Sequence, residues 1–303
     1  MRTLNLISLY YYVCQLYDEE LHHHCFRHTK NGQSPLFTDQ ELITVFLFIQ
    51  NVYKPSSLKS LHTIAQDAYL DWFPHLPGYE RFNRRLNRIS SSFCHIANDL
   101  GHRWFIQCLD SGAIADEAWL LNDSFPVVTC AGNRYGVVAP EITDRGYNST
   151  KRMHFWGIKI HVLAYKVSGS TPVPVRLWVG PASEHDYQAQ VAELESVAPF
   201  NISGDKAFES KELIEAFENH GGKWMIGKKD NYRKRVWERQ RNIAADQLYN
   251  RAVSKLKQPI ESLFSTFAKF GIQKAGLIRS TTGLTRHIMG TLAAAMIDSV
   301  IFM

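Results

Sequence analysis

Three carboxylates stand where their neighbours give them work to do. Asp123 lies in Leu120-Leu121-Asn122-Asp123-Ser124-Phe125, an apolar stretch that reads as a strand. A carboxylate there is costly unless it is paired, metal-bound or at the sheet surface. Asp205 follows Phe200-Asn201-Ile202-Ser203-Gly204, just past the end of another short strand, and open α/β sheets put ligand sites at such ends. Glu261 sits in Gln258-Pro259-Ile260-Glu261-Ser262, in the first turn of a helix if Pro259 is its first residue. Separations of 82 and 56 residues leave room for strands and helices between the three. Position alone also allows a plainer reading: a hydrogen-bonded strand-end group, a helix cap and a surface acid near a helix N-terminus.

Basic and imidazole side chains surround these acids. Lys159 and His161 alternate on one face of a predicted strand, and Lys206 directly follows Asp205. Lys257 precedes Glu261 by one helical turn. Between Lys228 and Arg241 lie seven Lys or Arg against two acids, including Lys228, Lys229 and Arg233, with Tyr232 and Trp237 interleaved. Such a segment suits phosphate contact and base stacking, although a charge run is more often a solvated face. Arg81, Arg84, Arg85 and Arg88 recur at helical spacing after Pro77-Gly78, as in a groove-reading helix or an Arg-rich exposed one. His22-His23-His24-Cys25 resembles a metal tract but lacks partners at ligand spacing. His185 and Asp186 are explained first as helix-start residues.

The elements that position these groups follow from periodicity and punctuation. Residues 1–110 read as helical: Thr38-Asp39-Gln40-Glu41 is a capping box before an apolar run, Pro55-Ser56-Ser57 breaks the chain before Leu58–Ala65, and Pro77-Gly78 breaks it before Tyr79–Ile89. From residue 111 the texture changes. Trp119–Val128, His154–Tyr165, Pro174–Val179, Phe200–Ser203 and Lys223–Ile226 read as strands. Helices follow Ser183, run through Leu213 and Phe217 to Gly221-Gly222, and carry Leu256, Ile260, Leu263 and Phe267 on one face. Three strands followed by alternating helix and strand predict a mixed sheet covered by helices, the order of an RNase H-like core. The expected division is a helical, helix-turn-helix-like region at 1–110 and an α/β catalytic domain at 111–303.

Composition narrows the class. The net charge of +5 equals the excess of the Lys228–Arg241 segment, so the remainder is near neutral. Five scattered cysteines without a CxxC pair argue against a disulfide framework or zinc ribbon, which suits a reducing compartment. The apolar N-terminal stretch runs into Asp18-Glu19-Glu20 without a small-residue cleavage site, and the C-terminal run carries Asp298. The expectation is a soluble, cytoplasmic protein.

Five blocks occur in order over roughly residues 115 to 295: Asn122-Asp123-Ser124-Phe125-Pro126, Gly157-Ile158-Lys159-Ile160-His161, Pro181-Ala182-Ser183-Glu184-His185-Asp186, Gly204-Asp205-Lys206-Ala207-Phe208 and Pro259-Ile260-Glu261-Ser262-Leu263-Phe264. Together they resemble the signature blocks of bacterial insertion-sequence DDE transposases, most like the insertion sequence 982 family. The resemblance implies that Asp123, Asp205 and Glu261 are the catalytic, metal-holding triad. It implies two Mg²⁺ ions about 3.5–4 Å apart, with Mn²⁺ able to substitute, as hard oxygen donors favour. It further implies cleavage at transposon ends, strand transfer into target DNA, double-stranded DNA as partner, and a homodimer on DNA at the bacterial nucleoid. Lys257 departs from the Arg common in related groups: it keeps the charge but not the bidentate fork. Two alternatives stay open, another RNase H-like nuclease of the junction-resolvase type and a catalytically silent transposase-derived DNA-binding protein.

Overall fold

The computed structural model describes residues 2–25, 35–114, 118–131, 139, 141, 143–148, 152–184, 200–206, 211–228 and 236–302. In chain order it opens with α1 (Arg2–Leu16), a π-helical turn (Tyr17–Leu21), α2 (His22–His24), α3 (Asp39–Tyr53), α4 (Leu58–Tyr69), α5 (Tyr79–Arg88) and α6 (Ser92–Asp110). The strands β1 (Trp119–Ala131), β2 (Asp144–Asn148), β3 (Met153–Tyr165), β4 (Val173–Pro181) and β5 (Asn201–Gly204) follow. The chain then forms α7 (Lys211–Asn219), β6 (Trp224–Ile226), α8 (Val236–Lys269) and α9 (Thr281–Val300). Among the described residues no helix is long and apolar enough to cross a membrane.

The chain divides into two compact units. The first comprises Met1–Trp104, Val128–Thr143 and Thr266–Met303; the second comprises Phe105–Val127 and Asp144–Ser265.

The first unit is built around α3. Thr38 caps it as the sequence predicts: its hydroxyl accepts from the Glu41 N–H at 3.1 Å, and the Glu41 carboxylate accepts from the Thr38 N–H. Every residue from Leu42 to Asn51 is buried, because α1, α4, α5 and α9 all pack against this helix. Its two buried amides are satisfied at fixed points. Gln50 donates to the Phe270 carbonyl at 3.0 Å, and Asn51 donates to the Ala294 carbonyl at 2.9 Å.

The second unit is a mixed sheet in the order β2-β3-β1-β5-β6, with β4 also paired to β3. β1, β5 and β6 run parallel, while β2 and β4 pair antiparallel with β3. β2 takes the first half of β3 (Met153 to Gly157) and β4 the second (Ile158 to Tyr165). With neighbours on both sides, β3 is buried continuously from Ile160 to Ala164. Leu120, Leu163, Ile202, Phe217 and Ile226 form the core, with Tyr165, Trp178 and Trp224 against it.

Three points differ from the sequence reading. β2 was not expected: Asp144-Arg145-Gly146-Tyr147-Asn148 has a single aromatic and no apolar alternation. Pro259 is not the first residue of its helix but lies inside α8, which begins at Val236. The last residues of the Lys228–Arg241 segment, from Val236, already belong to this helix. The helix expected after Ser183 falls on residues outside those described.

Candidate active site

The parallel pairing of β1 with β5 brings two of the three predicted acids together. Leu121 is in register with Ser203, the last pair of that ladder. Asp123 and Asp205 each lie two residues further on, so both emerge from adjacent strands at matched positions. Their local geometry is alike: Asp123 Oδ1 accepts from the Ser124 N–H at 2.9 Å, and Asp205 Oδ1 from the Lys206 N–H at 2.7 Å. The second Asp123 carboxylate oxygen is turned elsewhere.

For Asp123 that oxygen meets α8. Lys257 Nζ lies 3.0 Å from Asp123 Oδ2, with both side chains about four-fifths buried. Glu261 is four residues after Lys257, hence one turn along the same helical face, and is exposed. Ile260 and Leu263 are buried, and Phe264 packs its ring 4.8 Å from that of Phe125 on β1, which fixes the register of α8 on the strand.

The electrostatics of Asp123 are divided. Desolvation raises its pKa above the ordinary value, the Lys257 ammonium and the Ser124 N–H pull it down, and the charge of Asp205 pushes it up again. The net direction is upward, and Asp205 is close enough to be felt. The donor set, carboxylate oxygens with one ammonium against three acids, fits a hard divalent cation and not a soft one. The three carboxylates do not all converge within 4.8 Å; among the described residues Glu20, His24 and His95 do. In that second cluster α6 supplies His95, from far along the chain, beside His24 of the histidine tract. His95 Nδ1 lies 2.8 Å from Glu20 Oε1, and the His24 and His95 rings stack at 3.6 Å.

The basic residues named from sequence separate into groups. Lys206 is exposed beside Asp205, and Gly227 accommodates its chain: a Cβ there would stand 3.0 Å from Lys206 Cγ. Lys228 is exposed and moored to α8. Its N–H donates to Asn250 Oδ1 at 2.8 Å, and its ammonium lies 3.5 Å from Asp246. Lys229 and Arg233 fall outside the described residues, as do His185 and Asp186. Lys159 donates to the Glu184 carbonyl at 2.9 Å. His161 does not face solvent: it is fully buried and stacked on Trp178, since the centre of β3 is covered on both faces. Arg81, Arg84 and Arg88 are exposed on α5, opposite the buried Phe82 and Leu86. Arg85 turns inward instead, 2.8 Å from the buried Asp39 and over the Phe37 ring.

Two side chains beside the acids carried no sequence signal. Asn122 and Ser203 are fully buried, and among the described residues neither the Asn122 amide nor the Ser203 hydroxyl has a hydrogen-bond partner.

A family model described as a transposase DDE domain matches residues 119–297, which contain every acid and lysine of this constellation. No curated protein and no solved structure matches the chain.

Proposed function

The chain belongs to the transposase DDE domain family, and from that membership we propose that it cuts DNA at the ends of a mobile element and joins the freed 3′ ends to target DNA. The observation that carries this reading is the matched emergence of Asp123 and Asp205 from β1 and β5, with Lys257 on Asp123 and Glu261 one turn beyond. Within the family, the five ordered blocks favour the insertion sequence 982 group.

Asp123, Asp205 and Glu261 are the residues to hold two Mg²⁺ ions, or Mn²⁺ in their place. Bound there, the cations supply Lewis-acid neutralisation of charge developing on the phosphoryl oxygens. The protein's own groups do the rest. The parallel strands hold two carboxylates at matched positions, and α8 carries the third. Lys257 offsets the carboxylate charge and presents a cation one turn from Glu261. Lys206 and Lys228 lie to the side as phosphate contacts, with Lys159, Lys229 and Arg233 in the same role. Arg81, Arg84 and Arg88 form the DNA-facing edge of a helix-turn-helix-like region within residues 1–110. The assembly on terminal inverted repeats is a homodimer, because two ends must be brought together.

The test is a cleavage and strand-transfer assay on the element's own ends with Mg²⁺. Joined products support the transposase reading, hydrolysis alone points to a resolvase-type nuclease, and end binding without cutting points to a silent derivative.

A further inference from the structure

The first unit contains a cavity of about 250 Å³ with an unusual lining: Lys54, Lys269, Lys274 and Arg286, and no Asp or Glu. Arg286 is nine-tenths buried on α9. Its Nη1 donates to Asn83 Oδ1 at 3.1 Å, while its Nε has no partner and no carboxylate pairs with it among the described residues. Burial of a cation in this state is unfavourable, and desolvation pulls its pKa down to about 10.

A second feature of the same cavity favours negative charge. Ser56, Ser57 and Leu58 line it, so the N-terminus of the twelve-residue α4 opens there. The Ser57 hydroxyl takes the Ser60 N–H at 3.1 Å. The other first-turn N–H groups have no carbonyl one turn back and add the positive end of the helix dipole. His287 also lines the cavity. Burial pushes its pKa down to about 4, so it adds no charge at neutral pH. Lys54, Lys269 and Lys274 are exposed and rim the mouth. The volume is below the roughly 300–1,000 Å³ of pockets for whole small ligands, which suits one phosphate group better than a nucleotide with its base.

We infer that this cavity seats one phosphodiester of a bound DNA strand, with Arg286 at its base, the first turn of α4 beside it and the lysines at its rim. The inference rests on the reading that the protein acts on DNA, and adds an anchoring point in the helical unit, among residues not named from sequence. A free phosphate would offer the same oxyanion chemistry, so the test separates the two sources.

Affinity for a short mixed-sequence duplex is measured in EDTA, where cleavage cannot occur, over a range of salt. The wild type, the Lys54→Gln/Lys274→Gln double variant and Arg286→Gln are compared, and the shift of the unfolding midpoint by inorganic phosphate is recorded for each. The double variant should bind DNA about tenfold more weakly near 0.1 M salt, with the slope of log K against log salt shallower by about 0.9, one phosphate contact. Arg286→Gln should lose the phosphate-induced shift. An unchanged slope and affinity in the double variant overturns the inference, and a phosphate-induced shift alongside that unchanged slope assigns the cavity to free phosphate instead. Failure of the wild type to bind the duplex at all would instead overturn the DNA-acting reading itself. The two exposed lysines keep the test valid if Arg286→Gln does not fold.

Discussion

Desolvation lifts the Asp123 carboxyl above its ordinary value, and the Lys257 ammonium 3.0 Å away works against that lift. Lys257 thus offsets the charge of Asp123. Lys257→Ala removes a partly buried charge-assisted contact worth about 1.5–3 kcal/mol, so cleavage should slow by about tenfold or more, with Lys257→Arg recovering part of the loss. A rate equal to wild type in Lys257→Ala, measured in single turnover, would show the lysine to be structural only. The three acids are proposed from sequence because each sits in a short block with its own local wording, and Lys257 because it precedes Glu261 by one helical turn. Partners cannot be proposed this way. Nothing in Asn83-Arg84-Arg85 says that Arg85 turns in to Asp39 while Arg84 remains exposed. Nor does alternation along β3 reveal that His161 is covered, because that depends on which strands flank it.

At the scale of elements, α8 is the component whose geometry matters most. It runs unbroken through Pro259, which lies between Lys257 and Glu261. An interior proline removes one backbone hydrogen bond and disfavours the helix by about 3 kcal/mol. Pro259→Ala should therefore raise the unfolding midpoint, and should lower cleavage because the backbone between Lys257 and Glu261 changes. A variant gaining stability with no loss of rate would separate the proline from catalysis. In the sequence the same proline reads as a helix start, since proline favours the first helical position and the basic residues before it resemble a linker. Five of the six strands were recognisable from apolar runs or alternation. The exception, β2, is held from outside its own sequence: Gly146 lets Ala182 approach so closely that a Cβ would lie 2.6 Å from the Ala182 carbonyl oxygen. In addition, Asp144 Oδ2 accepts from the Ser183 N–H at 2.8 Å. Tertiary contacts of this kind leave no local pattern.

At the scale of the whole molecule, each compact unit is assembled from separated stretches, and α6, β1 and α8 contribute residues to both. A reading that moves along the chain recognises the change of texture near residue 110 but not the grouping of Thr266–Met303 with the N-terminal helices. That grouping depends on close packing: a Cβ on Gly290 of α9 would stand 2.6 Å from the Phe46 ring of α3. Helix propensity favours alanine over glycine by about 1 kcal/mol, whereas overpacking costs about 1–3 kcal/mol. Gly290→Ala should therefore lower stability by about 1 kcal/mol, read from the urea midpoint. His287 gives the unit a pH dependence. Burial lowers its folded pKa to about 4, with Arg286 adding to the fall and the Ile272 carbonyl opposing it. The unfolded chain binds this proton at a higher pH than the folded one, so stability is full above the unfolded value near 6.5 and declines as pH falls toward 4. Replacing His287 with Gln should flatten the fall of the unfolding midpoint across that window. The central claim is that Asp123, Asp205 and Glu261 act as one metal-dependent site, and the most direct measurement is cleavage of the element's end DNA by the three single alanine variants with Mg²⁺. Loss of cleavage in each, with DNA binding in EDTA retained, is the predicted result; wild-type cleavage by any one of them would contradict the account.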